Sequence, residues 1–212
     1  MTLANSIDAK ITGFQSLNAA TGAWTGRTIT AGTGISVTNG DGTGGNPTIA
    51  VSPATTPGFS AYLSANDTNV TGNAAYYLIG TNTGMVEEFD NGNVFTPGPV
   101  AGGAVFTTPT TGVYTFQSSV GITGITAAMT RGQILLDVNG TTTAYLLSGG
   151  NTSNMRNDLN SMVLSGAITV SLTVGDLVRF AVQIFNGAGN TAGLAGLSGA
   201  VRQCTVSGFQ VR

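Results

Sequence analysis

The side chains able to do chemistry are few, and their spacing argues against catalysis. There is no histidine in the 212 residues, which removes the commonest general base, the commonest zinc ligand and every Ser-His or Cys-His pair. Cys204 is the sole cysteine, so neither an intrachain disulfide nor a thiolate cluster is available. With no charged neighbour in its local sequence, Cys204 is expected as a small apolar residue buried in a strand. No lysine follows Gly32, Gly34, Gly40, Gly42, Gly44 or Gly45, so these glycines make turns rather than a phosphate-binding loop. The one acidic cluster is Glu87, Glu88 and Asp90, in MVEEFDNGN. A glycosidase needs two carboxyls about 5–10 Å apart. On an extended strand Glu87 and Glu88 point to opposite faces, and only Glu88 and Asp90 share one. The segment reads as a solvated strand end running into a turn, and no enzyme is expected.

Composition says what kind of scaffold remains. Charged residues are 8% and apolar residues 41%, with 32 glycines and a net charge of −2; an average soluble domain is about 25% charged. A chain this poor in charge is neither a disordered tail nor, with Lys10 its single lysine, a nucleic-acid surface. The start, MTLANSIDAKITGF, has no apolar run behind a basic end, and no stretch approaches 18 apolar residues. Neither a secretory signal nor membrane insertion is expected.

The elements that must position any site are β-strands. Residues 32–38 and 47–51 alternate with period two around the turn-rich stretch 39–46. Some 50 residues of this kind cannot bury enough surface to fold alone without disulfides, metal or partners, which leaves oligomerisation. Residues 3–17 have the spacing of a short amphipathic helix. Residues 52–58, with Pro53 and Pro57, mark a boundary between a segment 1–56 and a domain 57–212. In the domain, runs recur at 59–63, 76–79, 86–89, 105–107, 112–120, 133–138, 141–147, 161–172, 177–185 and 201–211, ten in all, which fits one all-β jelly-roll sandwich. Asn139-Gly140 between two runs is the preferred type I′ hairpin turn.

Several of these runs carry a resemblance. FSAYLS at 59–64, FDNGNVF at 89–95, the pattern F-T-x-P-x-T-G-x-Y-x-F at 106–116, LDVNG at 136–140, LTVGDLV at 172–178 and SGFQV at 207–211 resemble, in order, the globular head of complement component 1q and its tumour-necrosis-factor-like relatives. The resemblance covers 58–212 and implies a ten-stranded jelly roll assembled as a homotrimer without catalytic residues. Tyr114 and Phe116, alternating on one strand face, then fill the core or the trimer axis, with Phe209 beside them. Some members of that family hold Ca²⁺. Here Asp90 with Asn91 or Asn93 would supply hard oxygens, against the rival reading that this segment makes a turn; no other cofactor is implied. Residues 26–49 are similar to shaft repeats of bacteriophage tail fibres, which makes the amino-terminal segment a Gly/Thr-rich β shaft.

Together these features lead to the expectation of a homotrimeric virion fibre or spike, made in the host cytoplasm without a signal peptide. Residues 1–56 would attach it to a protein of the particle, and the head would bind a host-surface glycan or protein. Loop candidates are Asn151, Thr152, Asn154, Arg156, Asn157 and Asp158, with Asn186 and Asn190. Their amides suit saccharide hydroxyls, and Arg156 suits an anionic sugar. The alternatives are a purely architectural capsid-decorating fibre and a bacterial surface adhesin.

Overall fold

The computed structural model describes residues 14–17, 22, 24–32, 34–51, 56–148 and 152–211. Two compact units are present, Met1–Ala54 and Thr55–Arg212.

The described residues of the first unit form two hairpins. β1 (Phe14–Leu17) pairs antiparallel with β2 (Trp24–Arg27), and β3 (Ile35–Thr38) with β4 (Thr48–Val51). The helix expected over 3–17 is corrected at its described end, where 14–17 is strand; its remainder lies outside the described residues. The ladder with β2 and an Arg27 Nε–H donated to Ser16 Oγ at 2.8 Å settle the matter in favour of the strand. In the second hairpin the register stacks Ile35 on Val51 and Val37 on Ile49. Because side chains alternate, all four aliphatic groups share one face, while Ser36, Thr38, Thr48 and Ala50 share the other. Ile49 is 60% and Val51 75% exposed, while Val37 is half-buried, so the β4 side of this apolar face is open among the described residues. The turn is closed by the Asp41 carboxylate, which accepts the Thr43 N–H at 3.0 Å and its hydroxyl at 2.8 Å. Those bonds hold the Asp41 carboxyl below its ordinary pKa.

The second unit is an all-β jelly-roll sandwich, the fold class expected from the sequence. Its strands are β5 (Gly58–Leu63), β6 (Asp67–Thr71), β7 (Tyr76–Leu78), β8 (Met85–Asn91), β9 (Phe95–Thr96), β10 (Val105–Thr107), β11 (Gly112–Thr123), β12 (Arg131–Val138), β13 (Thr141–Ser148), β14 (Met162–Leu172), β15 (Leu177–Phe185), β16 (Ala192–Ala195), β17 (Leu197–Ser198), β18 (Val201–Arg202) and β19 (Cys204–Val211), with one helical turn, α1 (Thr152–Met155). A 7-stranded sheet runs β6-β16-β11-β19-β5-β8 with β14 on the other side of β11, and a 6-stranded sheet runs β13-β12-β15-β10-β9 with β7 on β15. The expected count of ten strands is therefore corrected. β6, β9 and β16 read DTNVT, FT and AGLA, too short or too weakly alternating to stand out. The run expected over 201–211 is split at Gln203 into β18 and β19, because Val201–Arg202 pair with β17 while Cys204–Val211 pair with β11 and β5.

Aromatic rings close the space between the sheets. Phe59, Tyr114 and Phe116 come from the 7-stranded sheet, and Phe95, Phe106 and Phe180 from the 6-stranded one. Phe59 stacks on Phe95 with centroids 4.2 Å apart, and Phe106 meets Phe116 edge-on at 5.4 Å. Such pairs add about 0.5–1.5 kcal/mol beyond their buried area. Gly208 makes room for them, since a Cβ there would lie 2.6 Å from the Phe116 ring. The Tyr114 hydroxyl donates to the Thr110 carbonyl at 2.7 Å. Tyr114 and Phe116 have no exposed surface in the single chain, so their assignment to a trimer axis is corrected: they fill the intrachain core and offer nothing to a second copy. Phe209, on the opposite register, is 45% exposed.

Candidate functional site

The head has two ends, and the ladder places the loops on them. The chain enters beside Gly58. There the Pro57 carbonyl accepts the Gln210 N–H at 3.1 Å, and the Thr56 carbonyl accepts from Asn91 Nδ2 at 2.8 Å. The same end holds Thr110, bonded by Gln210 Nε2 at 3.1 Å, and the Thr173–Asp176 turn. Asn139 and Gly140, both at positive φ (55° and 83°), form the two-residue turn expected of Asn-Gly. The Asp176 carboxylate joins these turns, accepting from Thr173 N at 2.7 Å and Asn139 Nδ2 at 2.8 Å; both bonds hold its carboxyl below the ordinary value.

At the far end, loops 72–75, 124–130, 152–161 and 186–191 meet. Ile125 N donates to the Asn160 carbonyl at 2.9 Å, Gly187 N to the Gly72 carbonyl at 2.7 Å, and the Asn186 amide to Thr130 Oγ1. The two candidate loops are thus brought to one apex, but they use many of their polar groups to hold it. Thr152 is corrected as a ligand residue: it is fully buried, and its hydroxyl donates to the Met129 carbonyl. Asn157 Oδ1 accepts Leu159 N at 3.0 Å and Ser161 N at 2.9 Å, an Asx turn rather than an outward amide. Arg156 donates to Asn160 Oδ1, and its Nε is buried without a partner. Asn154, Asp158 and Asn190 are exposed. Asn151 lies outside the described residues. The apex also exposes Met155 and Leu159, which sequence reasoning passed over; apolar residues inside an Asn-rich loop were the available signal.

The implied calcium residues make a turn. Asp90 Oδ1 accepts Val94 N at 2.9 Å and Oδ2 accepts Phe95 N at 3.1 Å, while Asn91 bonds Thr56 and Asn93 takes positive φ. One carboxylate with both oxygens so engaged is a poor start on the roughly six to eight oxygens Ca²⁺ takes. Among the described residues no three His, Cys, Asp or Glu side chains converge to hold a metal. Glu88 and Asp90 do not work as a pair either. Glu88 sits at a bulge opposite Ser60/Ala61, accepts the Ser60 hydroxyl at 2.7 Å and pairs with Arg202. Cys204 is fully buried, and burial first, then the Asp67 carboxylate, pushes its thiol up to about 12; it is an unreactive core residue.

A further surface feature is the outer face of the 7-stranded sheet. Strands β14, β11 and β19 contain no Asp, Glu, Lys or Arg. Outward rows read Ser165–Ser119–Thr205–Tyr62–Val86 and Ala167–Gln117–Ser207–Ser60–Phe89 across five strands. Thr115 and Thr169 hydroxyls bond each other at 2.8 Å. Gln117, Ser119, Ser165, Ala167, Thr205 and Ser207 line a shallow depression of about 380 Å³. Val113, Val163, Phe89, Phe209 and Val211 are exposed around it.

No protein-family model matches the chain, and no curated protein matches it. Solved structures are similar to it. Murine APRIL at pH 8.0 is 11% identical, covering 74% of this chain and 99% of that one with a TM-score of 0.46. The PRD1 vertex protein P5 is 10% identical over 75% and 99%, with a TM-score of 0.48. The globular domain of zebrafish complement 1qA is 21% identical over 74% and 98%, with a TM-score of 0.42. No helix among the described residues is long and apolar enough to cross a membrane.

Proposed function

We propose that the chain is a homotrimeric fibre or spike of a virion, with residues 1–56 as stalk and attachment segment and the head as its distal, host-contacting part. The observation that carries this reading is the hairpin face of Ile35, Val37, Ile49 and Val51, aligned by register and exposed at Ile35, Ile49 and Val51. A short hairpin cannot supply its own core, and copies wound about a shared axis would bury these side chains against each other. The charge-free strands β14, β11 and β19 of the 7-stranded sheet support the same assembly in the head. Their hydroxyls can satisfy each other, and bringing copies together across these three strands desolvates no charge. The head receives its chain at one end and gathers its longer loops at the other, which suits recognition at a fibre tip. Asn154, Asp158 and Asn190, with Met155 and Leu159, are the groups such a tip would present.

The test joins residues 1–56 to a fluorescent protein and mixes the purified fusion with virions. The expected result is a trimeric fusion that decorates the particles. A monomeric fusion that leaves every particle unlabelled contradicts the reading.

A further inference from the structure

The outer face of the 6-stranded sheet carries side chains that neither the assembly nor the apical loops use. Outward-facing pairs across β12 and β15 are Gln133–Gln183, Leu135–Ala181 and Asp137–Arg179, with Tyr145 of β13 opposite Leu135 and Tyr76 of β7 opposite Gln183. Leu135 and Ala181 are buried although they lie on the solvent side. The cause is Tyr76. Its hydroxyl reaches Asp137 Oδ2 at 3.3 Å, two strands over and two same-face positions along, and also meets Thr142. A reach that long lays the ring along the sheet, over the small Ala181. Tyr76 nonetheless remains 40% exposed and Tyr145 55%, so two rings show surface on either side of Leu135.

Beside them Asp137, 4% exposed, accepts from Arg179 Nη1 through Oδ1 at 3.4 Å and closes the Asn139-Gly140 turn by accepting Gly140 N at 3.1 Å. Charge-assisted N–H···O⁻ bonds ordinarily close to about 2.7–2.9 Å. At 3.4 Å this one leaves the partly exposed guanidinium with donor capacity to spare. A pyranose ring presents an apolar C–H face and a rim of hydroxyls; the first stacks on an aromatic ring, and the second accepts from a fixed, planar donor.

We propose that this face binds a neutral oligosaccharide, with Tyr145 and Tyr76 as the stacking surface, Arg179 as the hydroxyl donor and Asp137 as the positioning residue that holds both Arg179 and Tyr76. Neutrality follows from the charges present. Beside the tyrosines Arg179 is balanced by Asp137, and the other cation on the face, Arg131, keeps its charge over the Phe185 ring four residues before Leu135 on β12, away from the stacking surface. The site stands apart from the apical loops and does not require the fibre reading.

The test presents the purified full-length chain to immobilised maltotetraose, cellotetraose and mannotetraose, and to sialylated and sulfated glycans. At least one neutral oligosaccharide should be retained. Tyr145→Ala should weaken that binding about tenfold, Arg179→Lys should weaken it clearly, and Asn154→Ala at the apex should leave it unchanged. Tyr145 is an exposed position whose loss leaves the fold intact, which an unchanged melting temperature and native mass would verify. Retention of anionic glycans alone, retention of none, or binding that survives Tyr145→Ala overturns the proposal. Binding lost only in Asn154→Ala also overturns it and assigns recognition to the tip.

Discussion

The two outward faces of the head are built on similar ladders and could hardly differ more in chemistry. On the 7-stranded sheet, three adjacent strands carry no ionic group, and the outward rows are Ser, Thr, Ala, Val and Gln with Phe209 among them. On the 6-stranded sheet the outward positions hold an ion pair, an amide pair bonded at 2.6 Å and two tyrosines. A face to be covered by another copy avoids groups that are costly to desolvate. A face left to solvent can keep planar polar groups preorganised. Burial inside the sandwich is equally complete beneath both, so stability of the single chain does not explain the contrast.

That comparison can be broken most violently by placing charge on the bare face. Ser165→Arg with Gln117→Arg puts two cations on neighbouring strands of the depression, and burying unpaired ions costs several kcal/mol each. The expected outcome in sedimentation is loss of the proposed trimer to single chains, whereas a charge added at Tyr145 on the other face leaves the mass unchanged. Next in size is Asp137→Asn. The amide keeps one acceptor oxygen for Arg179 and the Gly140 N–H but removes the charge and the oxygen that accepts from Tyr76, which should cost about 1–3 kcal/mol, read as a lower denaturation midpoint. Arg202→Ala tests the one ion pair at the margin of the bare face. The Glu88–Arg202 pair is substantially exposed, so the expected loss is under about 1 kcal/mol and shrinks in high salt.

The smallest effect is in acid. The folded chain holds the Asp176 carboxyl below its ordinary pKa through the Thr173 N–H and Asn139 amide. This stabilisation is therefore present above the ordinary carboxylate range and is lost as pH falls through the depressed value. Asp176→Asn should lower stability modestly at neutral pH and make the acid limb of the stability–pH profile shallower, so that the two proteins converge below the depressed value.

How much was legible depended on range. Asn139-Gly140 carries its turn in two residues, and the alternation of Tyr114 and Phe116 placed them on one strand face. That same alternation could not say whether the face met the other sheet or another copy, since both are apolar. The helix proposed over 3–17 failed at 14–17 because a partner ten residues on supplies a ladder that helical spacing does not reveal. Site residues fared worse for the same reason. Thr152 looks like a loop hydroxyl until Met129 takes it, and Tyr76 meets Asp137 across 61 residues of sequence, a meeting that no local pattern announces.

Self-association through uncharged surface is the central claim, and sedimentation equilibrium of the full-length chain at neutral pH tests it most directly. The account predicts a single species of about three times the 21.2 kDa chain mass, stable to moderate salt because no ion pairs hold it together. A concentration-independent mass of about one chain would contradict it.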